Sequence, residues 1–254
     1  MKKIILLIGI LIMLVTAHLT FAQPVQGVIT YELKVNLHKR LPPEREDMKK
    51  MIPEFRSSSE QLFFNETESL YKPLIEDEPE EFDNGGGAHI RMARPYYEFY
   101  LNSDNKQVVS KREFMGKNYL IVSDLELAPW KFSDETRTIQ GYECKQAYYT
   151  NEETKQTITA WYTNEIRLFL GPTSYNTLFL GPTSYNTLPG TVLAVDINNE
   201  EQVFIANKIE MRELRKNELK IPKGGEEISQ EDFRKMVDER MKEMGGGPRI
   251  MIRN

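Results

Sequence analysis

The chain has 254 residues and one cysteine, Cys144, so no disulfide can form within it. Histidine is almost as scarce, with His18, His38 and His89 only. That is too few for most zinc sites and leaves little to activate a serine or cysteine nucleophile. A positive balance is missing too. The net charge of −5 argues against nucleic acid or an anionic membrane surface as partner. Neither glycine triplet, 85–87 or 245–247, is followed by the lysine of a phosphate-binding loop, and no Gly-x-Ser-x-Gly elbow occurs. These absences leave no catalytic residue, metal-ligand set or cofactor loop to name. Thirty-eight acidic residues still allow many carboxylate pairs of the kind that cleave glycosidic bonds, but none stands out.

What is present begins with an export signal over residues 1–22. Lys2 and Lys3 precede an apolar run over 4–15, and Thr20-Phe21-Ala22 supplies small residues at a cleavage point. The run is shorter than the roughly 20 residues of a membrane span, and no later stretch approaches that length. The mature chain, residues 23–254, is therefore expected to hold no transmembrane segment. Its expected location is the periplasm, with secretion or outer-membrane association as variants. About 230 residues suffice for a single domain.

Period-two alternation dominates that domain. Over 28–38, Ile29, Tyr31, Leu33, Val35 and Leu37 share one face, and Thr30, Glu32, Lys34, Asn36 and His38 share the other. This is the pattern of a half-buried strand, and it places His38 in solvent. Further strands are expected at 61–71 as a hairpin, 96–101, 107–113, 118–122, 142–149, 157–163, 191–197 and 202–210. Short strands joined by turns, without helices between them, indicate an antiparallel sheet. A short helix follows Pro42-Pro43 and ends by Pro53. A stronger one starts at Ser229 and carries Phe233, Met236, Val237, Met241 and Met244 as one stripe, before a basic tail in the 229–254 segment. The segment 76–83 holds six carboxylates in eight residues and runs into Asn84-Gly85-Gly86-Gly87, which predicts a mobile loop.

Residues 168–177 read LFLGPTSYNT, and residues 178–187 repeat them identically. Copies this similar indicate a recent duplication rather than an old structural repeat. One copy then serves the fold, and the other loops out or forms an extra hairpin. Methionines cluster as well: Met48, Met51 and Met92 near the two mature histidines, and Met236, Met241 and Met244 on the helix. Thioethers can hold Cu(I), but a methionine stripe is ordinarily core filler, and no metal is assigned. Cys144, within a strand, reads as a buried structural thiol.

The aromatic strand 157–163 is the most suggestive surface. Trp161 and Tyr162 alternate, so one ring enters the core and the other faces a bowl or rim. With Glu165 nearby, such a ring suits a sugar or an extended peptide.

The order Ala160-Trp161-Tyr162-Thr163-Asn164-Glu165-Ile166, Gly-Pro, a tyrosine and Leu188-Pro189-Gly190 resembles the signature of the GLPGLI family. Asp124, Trp130, Ile139, Gly141-Tyr142, Cys144, Ala147 and the opening residues 27–32 fit as well. Thr187 replaces the first glycine of the naming motif, and Arg167 stands where proline is usual. Deleting one ten-residue copy restores the family spacing. The resemblance implies an exported protein of Bacteroidetes-type bacteria. It is similar to a bowl-shaped N-terminal module of a glycan-releasing amidase class whose catalysis lies in other domains.

The expectation is thus a mainly β fold, a curved antiparallel sheet shaped as a bowl or half-barrel, with an N-terminal and a C-terminal helix. Its role would be non-enzymatic binding of an envelope protein or glycan, near Trp161, Tyr162, Glu165, Pro189 and Gly190. Two alternatives are a glycan hydrolase using unidentified carboxylates and an accessory to an outer-membrane transporter, docked through the C-terminal helix and tail.

Overall fold

A computed structural model describes residues 25–74, 81–83, 89–91, 96–125, 127–152, 155–166, 173–174, 183–184 and 187–243. The export signal, the C-terminal tail, most of the duplicated segment and most of the acidic segment lie outside these residues. For 81–83, 89–91, 173–174, 183–184 and 241 the backbone alone is described.

The alternating segments form strands in chain order: β1 (Gly27–Asn36), β2 (Phe55–Phe64), β3 (Glu68–Pro73), β4 (Glu81–Asp83), β5 (His89–Arg91), β6 (Tyr97–Asn102), β7 (Gln107–Phe114), β8 (Lys117–Asp124), β9 (Lys131–Ile139), β10 (Tyr142–Thr150), β11 (Thr157–Thr163), β12 (Thr173–Ser174), β13 (Thr183–Ser184), β14 (Thr191–Ile197), β15 (Gln202–Met211) and β16 (Glu226–Ile228). Twelve of them make one open, curved sheet in the order β16-β8-β7-β6-β3-β2-β1-β15-β14-β11-β10-β9. Every neighbouring pair is antiparallel except β16 on β8, which is parallel. The expected mainly β architecture is present, with that one parallel edge added.

The curl of the sheet is read from its core. Leu101 and Val108 on β6 and β7 share a buried cluster with Ile139 and Cys144 on β9 and β10, many strands away. Tyr31 is fully buried, and its hydroxyl donates to the Val192 carbonyl at 2.7 Å. That bond reaches over β15 to join β1 to β14. Tyr71 packs edge-on to Tyr31, with ring centroids 6.0 Å apart, and is tilted against Tyr97 at 6.4 Å. The Tyr97 hydroxyl donates to Glu60 Oε2 at 2.8 Å, which gives a buried carboxylate one of the donors it needs.

The C-terminal segment works as a clasp around the β8 edge. Leu214 and Leu219 cover Val28, Phe63, Leu70, Tyr100 and Val109 on one face. β16 then lines the edge, and helix α1 (Gln230–Glu243) packs Phe233 and Val237 on Tyr119 and Ile121, which alternate to the other face. Ser229 caps the helix as expected: its hydroxyl accepts the Asp232 N–H at 3.0 Å. Met236 joins this cluster as filler.

Arg212 and Glu218 hold the first part of the clasp through two hydrogen bonds of 2.8 Å, and Glu218 also accepts the Arg215 N–H. The guanidinium, with that backbone donor, holds the Glu218 carboxyl at about 2, well below its ordinary value. A depressed carboxyl contributes stability above its unfolded pKa and loses it as pH falls toward the folded one. Hydrogen-exchange protection of residues 212–219 is therefore expected to fall between about pH 4.5 and 2. Protection that is flat across that window would contradict the assignment.

Several details differ from the sequence expectation. The proline-led segment Pro43–Lys50 winds as 3-10 turns interrupted at Arg45, with only Met48 buried, rather than as a regular helix. His38 lies beyond the end of β1, half-buried, and its Nε2 donates to the Ile52 carbonyl at 3.1 Å. It therefore ties down the end of that segment instead of standing in solvent. The last acidic residues, Glu81–Asp83, pair with His89–Arg91 as β4 and β5, so this part of the expected loop is a short ladder. In the duplication, Thr173 pairs with Ser184 and Ser174 with Thr183. The same Thr-Ser step of the two copies pairs antiparallel, each threonine opposite the other copy's serine.

Candidate functional site

Strand β11 alternates as the sequence implied. Ile158, Ala160 and Tyr162 enter one buried cluster, and Trp161 points to the other face. Tyr162 meets Phe132 edge-on, with centroids 6.2 Å apart. The strand is displaced by one residue between Trp161 and Tyr162, where Leu193 on β14 is the extra residue. This bulge lets Trp161 sit opposite Ala194 at the lip of the core.

Trp161 lies in a groove of about 580 Å³. Its floor runs along β11 from Trp161 through Thr159 to Thr157, about 13 Å at the rise of an extended strand. Gln146 and Arg137 form one wall, and Asp196 and Val203 form the other. The turn of Asn198, Asn199 and Glu200 closes the far end.

That turn is unusual. Its three residues have φ of 54°, 52° and 68°, a left-handed run that side chains rarely adopt. The scaffold holds it from several sides. Glu200 N–H donates to Asp196 Oδ1 at 2.6 Å, and Asn198 exchanges bonds with the Thr157 backbone. Lys39 Nζ reaches the Asn199 carbonyl at 2.6 Å. The run leaves the Asn199 and Glu200 side chains lining the groove.

The Arg137 guanidinium stands over the Trp161 ring, 4.3 Å from its centroid. Burial draws the Arg137 pKa down, against a smaller upward pull from Cys144 and Asp196; the group stays charged. Gln146, which also lines the groove, donates to Glu135 Oε2 at 2.9 Å. The result is an aromatic ring framed by hydroxyls, amides and charges of both signs. Such a surface has the chemistry to hydrogen-bond a polar group while stacking against it.

The other residues singled out from the sequence lie elsewhere. Glu165 is exposed and accepts the Glu143 N–H at 2.9 Å, closing the start of β10. Pro189 is exposed, while Leu188 and Gly190 are buried. Gly190 packs so tightly on the Thr163 carbonyl that a β-carbon there would come well inside 3.0 Å of it. Trp130 packs edge-on to Tyr149 at 4.7 Å and donates to Thr187 Oγ1 at 2.8 Å, in the cluster on the Tyr162 side. Cys144 is buried, and that burial pushes its thiol up to about 11, the opposite of an activated nucleophile. Among the described residues, no group of three or more histidine, cysteine or acidic side chains is placed to hold a metal, and no helix is long and apolar enough to cross a membrane.

Sequence reasoning found Trp161 but missed Arg137 and the 198–200 turn. The adjacent asparagines Asn198-Asn199 were a usable turn signal. Arg137 had none, because its strand is polar from Ser133 to Thr138.

The chain belongs to the family described as "N-glycanase peptide, N-terminal domain", which matches residues 88–224. Two crystal structures of PNGF-II in different space groups share its fold, with TM-scores of 0.53 and 0.55 and 18% sequence identity. Each match covers 85% of this chain and 33% of PNGF-II, so the chain spans about a third of that protein's length. No curated protein shows significant similarity to it.

Proposed function

We propose that this chain is a non-catalytic glycan-binding module exported to the cell envelope, of the GLPGLI type. The observation that carries this reading is the Trp161 ring set in a polar groove. Its length of about 13 Å matches two to three linked sugars. A ring face stacks on the apolar face of a sugar, and the surrounding amides and hydroxyls meet the sugar hydroxyls. Support also comes from the family description, which names an N-terminal domain of an N-glycanase, and from the export-type N-terminus.

The test is calorimetric titration of the mature protein with a panel of two- and three-residue oligosaccharides, neutral and uronate. Trp161→Leu keeps an apolar side chain at the lip of the core while removing the ring. It is expected to weaken the best binder by about tenfold or more, with the far-UV spectrum unchanged. Equal binding by the variant, or no binding by any panel member, contradicts the reading. Hydrolysis or release of a glycan by the purified protein would overturn its non-catalytic part.

A further inference from the structure

The geometry points to Arg137 as a specificity residue that makes the groove prefer glycans carrying a carboxylate. This rests on the groove being a glycan site and goes one step further, to the class of glycan. Arg40, Arg212 and Arg240 each meet a carboxylate within 3.1 Å. The Arg137 guanidinium makes no hydrogen bond or ion pair among the described residues; it lies over the Trp161 ring, with Cys144 and Asp196 acting on it electrostatically. A guanidinium presents five donors in a planar fork that matches a carboxylate. Here that fork, on an exposed residue of the sheet-edge strand, makes a cation–π contact, a weak interaction compared with a charge-assisted bidentate pair. It is held at the mouth of a groove with its donors uncommitted.

Asp196 does not fill that role: its Oδ1 accepts the Glu200 N–H, and it acts on Arg137 as a nearby charge without forming an ion pair. Asp196 and Glu200 instead give the groove a polarity. Glu200, at the turn, disfavours an anion there, and Asp196, on the wall opposite Arg137, accepts sugar hydroxyls. The positive end is at Arg137 and Trp161. A bound acidic sugar is thereby oriented, with its carboxylate on the fork, as the guanidinium swings off the ring and the sugar takes its place.

Two sources share this chemistry, a uronate chain and a sialic-acid terminus, and matched pairs separate them. Titrations would compare trigalacturonate with its fully methyl-esterified form, and sialyllactose with lactose, at low and high salt. At low salt the acidic member of at least one pair is expected to bind about tenfold tighter than its neutral partner, and salt should narrow the gap. In Arg137→Gln the ratio of acidic to neutral affinity should fall toward one, and in Arg137→Lys it should lie between. Equal affinities within both pairs, or a ratio that Arg137→Gln leaves intact, overturn the inference. If the neutral members bind equally well and lose binding in Trp161→Leu, only the carboxylate preference fails. If neither pair nor the wider panel binds, the glycan reading fails with it.

Discussion

Alanine at Gly190 is expected to lower the melting temperature by roughly 10 °C, corresponding to about 3 kcal/mol in a domain of this size. The reason is steric. Gly190 is buried just before β14, and the backbone of Thr163 on β11 crosses directly over its α-carbon. An added β-carbon meets the Thr163 carbonyl oxygen and carbon, and Asn164 Oδ1 lies 2.9 Å away. A side chain could swing aside, but a strand carbonyl cannot without disturbing the pairing of Thr163 with Thr191. That pairing flanks the bulge that presents Trp161, so ligand affinity should fall together with stability. Pro189→Ala, at the exposed neighbour, is the control and should stay within about 0.5 kcal/mol of the parent. Urea denaturation checks both. A Gly190→Ala protein as stable as the parent would mean that the two strands do not approach as described.

Phe233→Ala is expected to release helix α1 from the sheet. Phe233 is the anchor of the clasp. Its ring stands edge-on to Tyr119 at 5.4 Å and Phe114 at 6.2 Å, and the buried Arg112 lies over it at 5.3 Å. Truncating a buried phenylalanine costs about 3–5 kcal/mol. With Val237 and Met236 left, among the described side chains, to hold the inner face, docking no longer outweighs the entropy of fixing a 14-residue helix. The salt bridges along the helix, such as Lys235–Glu231, are exposed and contribute little. The loss should be local, because the large cluster around Tyr31 and Phe64 does not include the helix. Hydrogen exchange is the discriminating measurement. Protection should disappear from residues 230–243 while β1, β2 and β15 keep theirs. Global unfolding, or an unchanged helix, would contradict the clasp.

The central strands were legible in the sequence because each buries one face in register with its neighbours. β11 and β14 matched the expected bounds, and β1 differed by a residue or two at each end. The misses share a cause. β9 reads Lys-Phe-Ser-Asp-Glu-Thr-Arg-Thr-Ile and is exposed along almost its whole length as the sheet edge, so no apolar period marks it. The first half of β2, Arg-Ser-Ser-Ser, is silent for the same reason, and three-residue β16 exists only because the clasp brings it to β8. The site divided likewise. Trp161 announced itself through alternation with Tyr162. Its companions Arg137, Asp196 and Glu200 come from strands and a turn that the sheet assembles, and no local pattern links them.

The chain has two tryptophans, and this supplies the most direct test that Trp161 marks the binding groove. Trp130 donates its indole N–H to Thr187 and belongs to the cluster on the Tyr162 side, while Trp161 lines the groove. The two indole N–H signals of the mature protein can be followed by nuclear magnetic resonance as the tightest-binding oligosaccharide is added. The account predicts that the Trp161 signal shifts to saturation while the Trp130 signal stays in place. A saturating ligand that moves Trp130 and leaves Trp161 unchanged would contradict it.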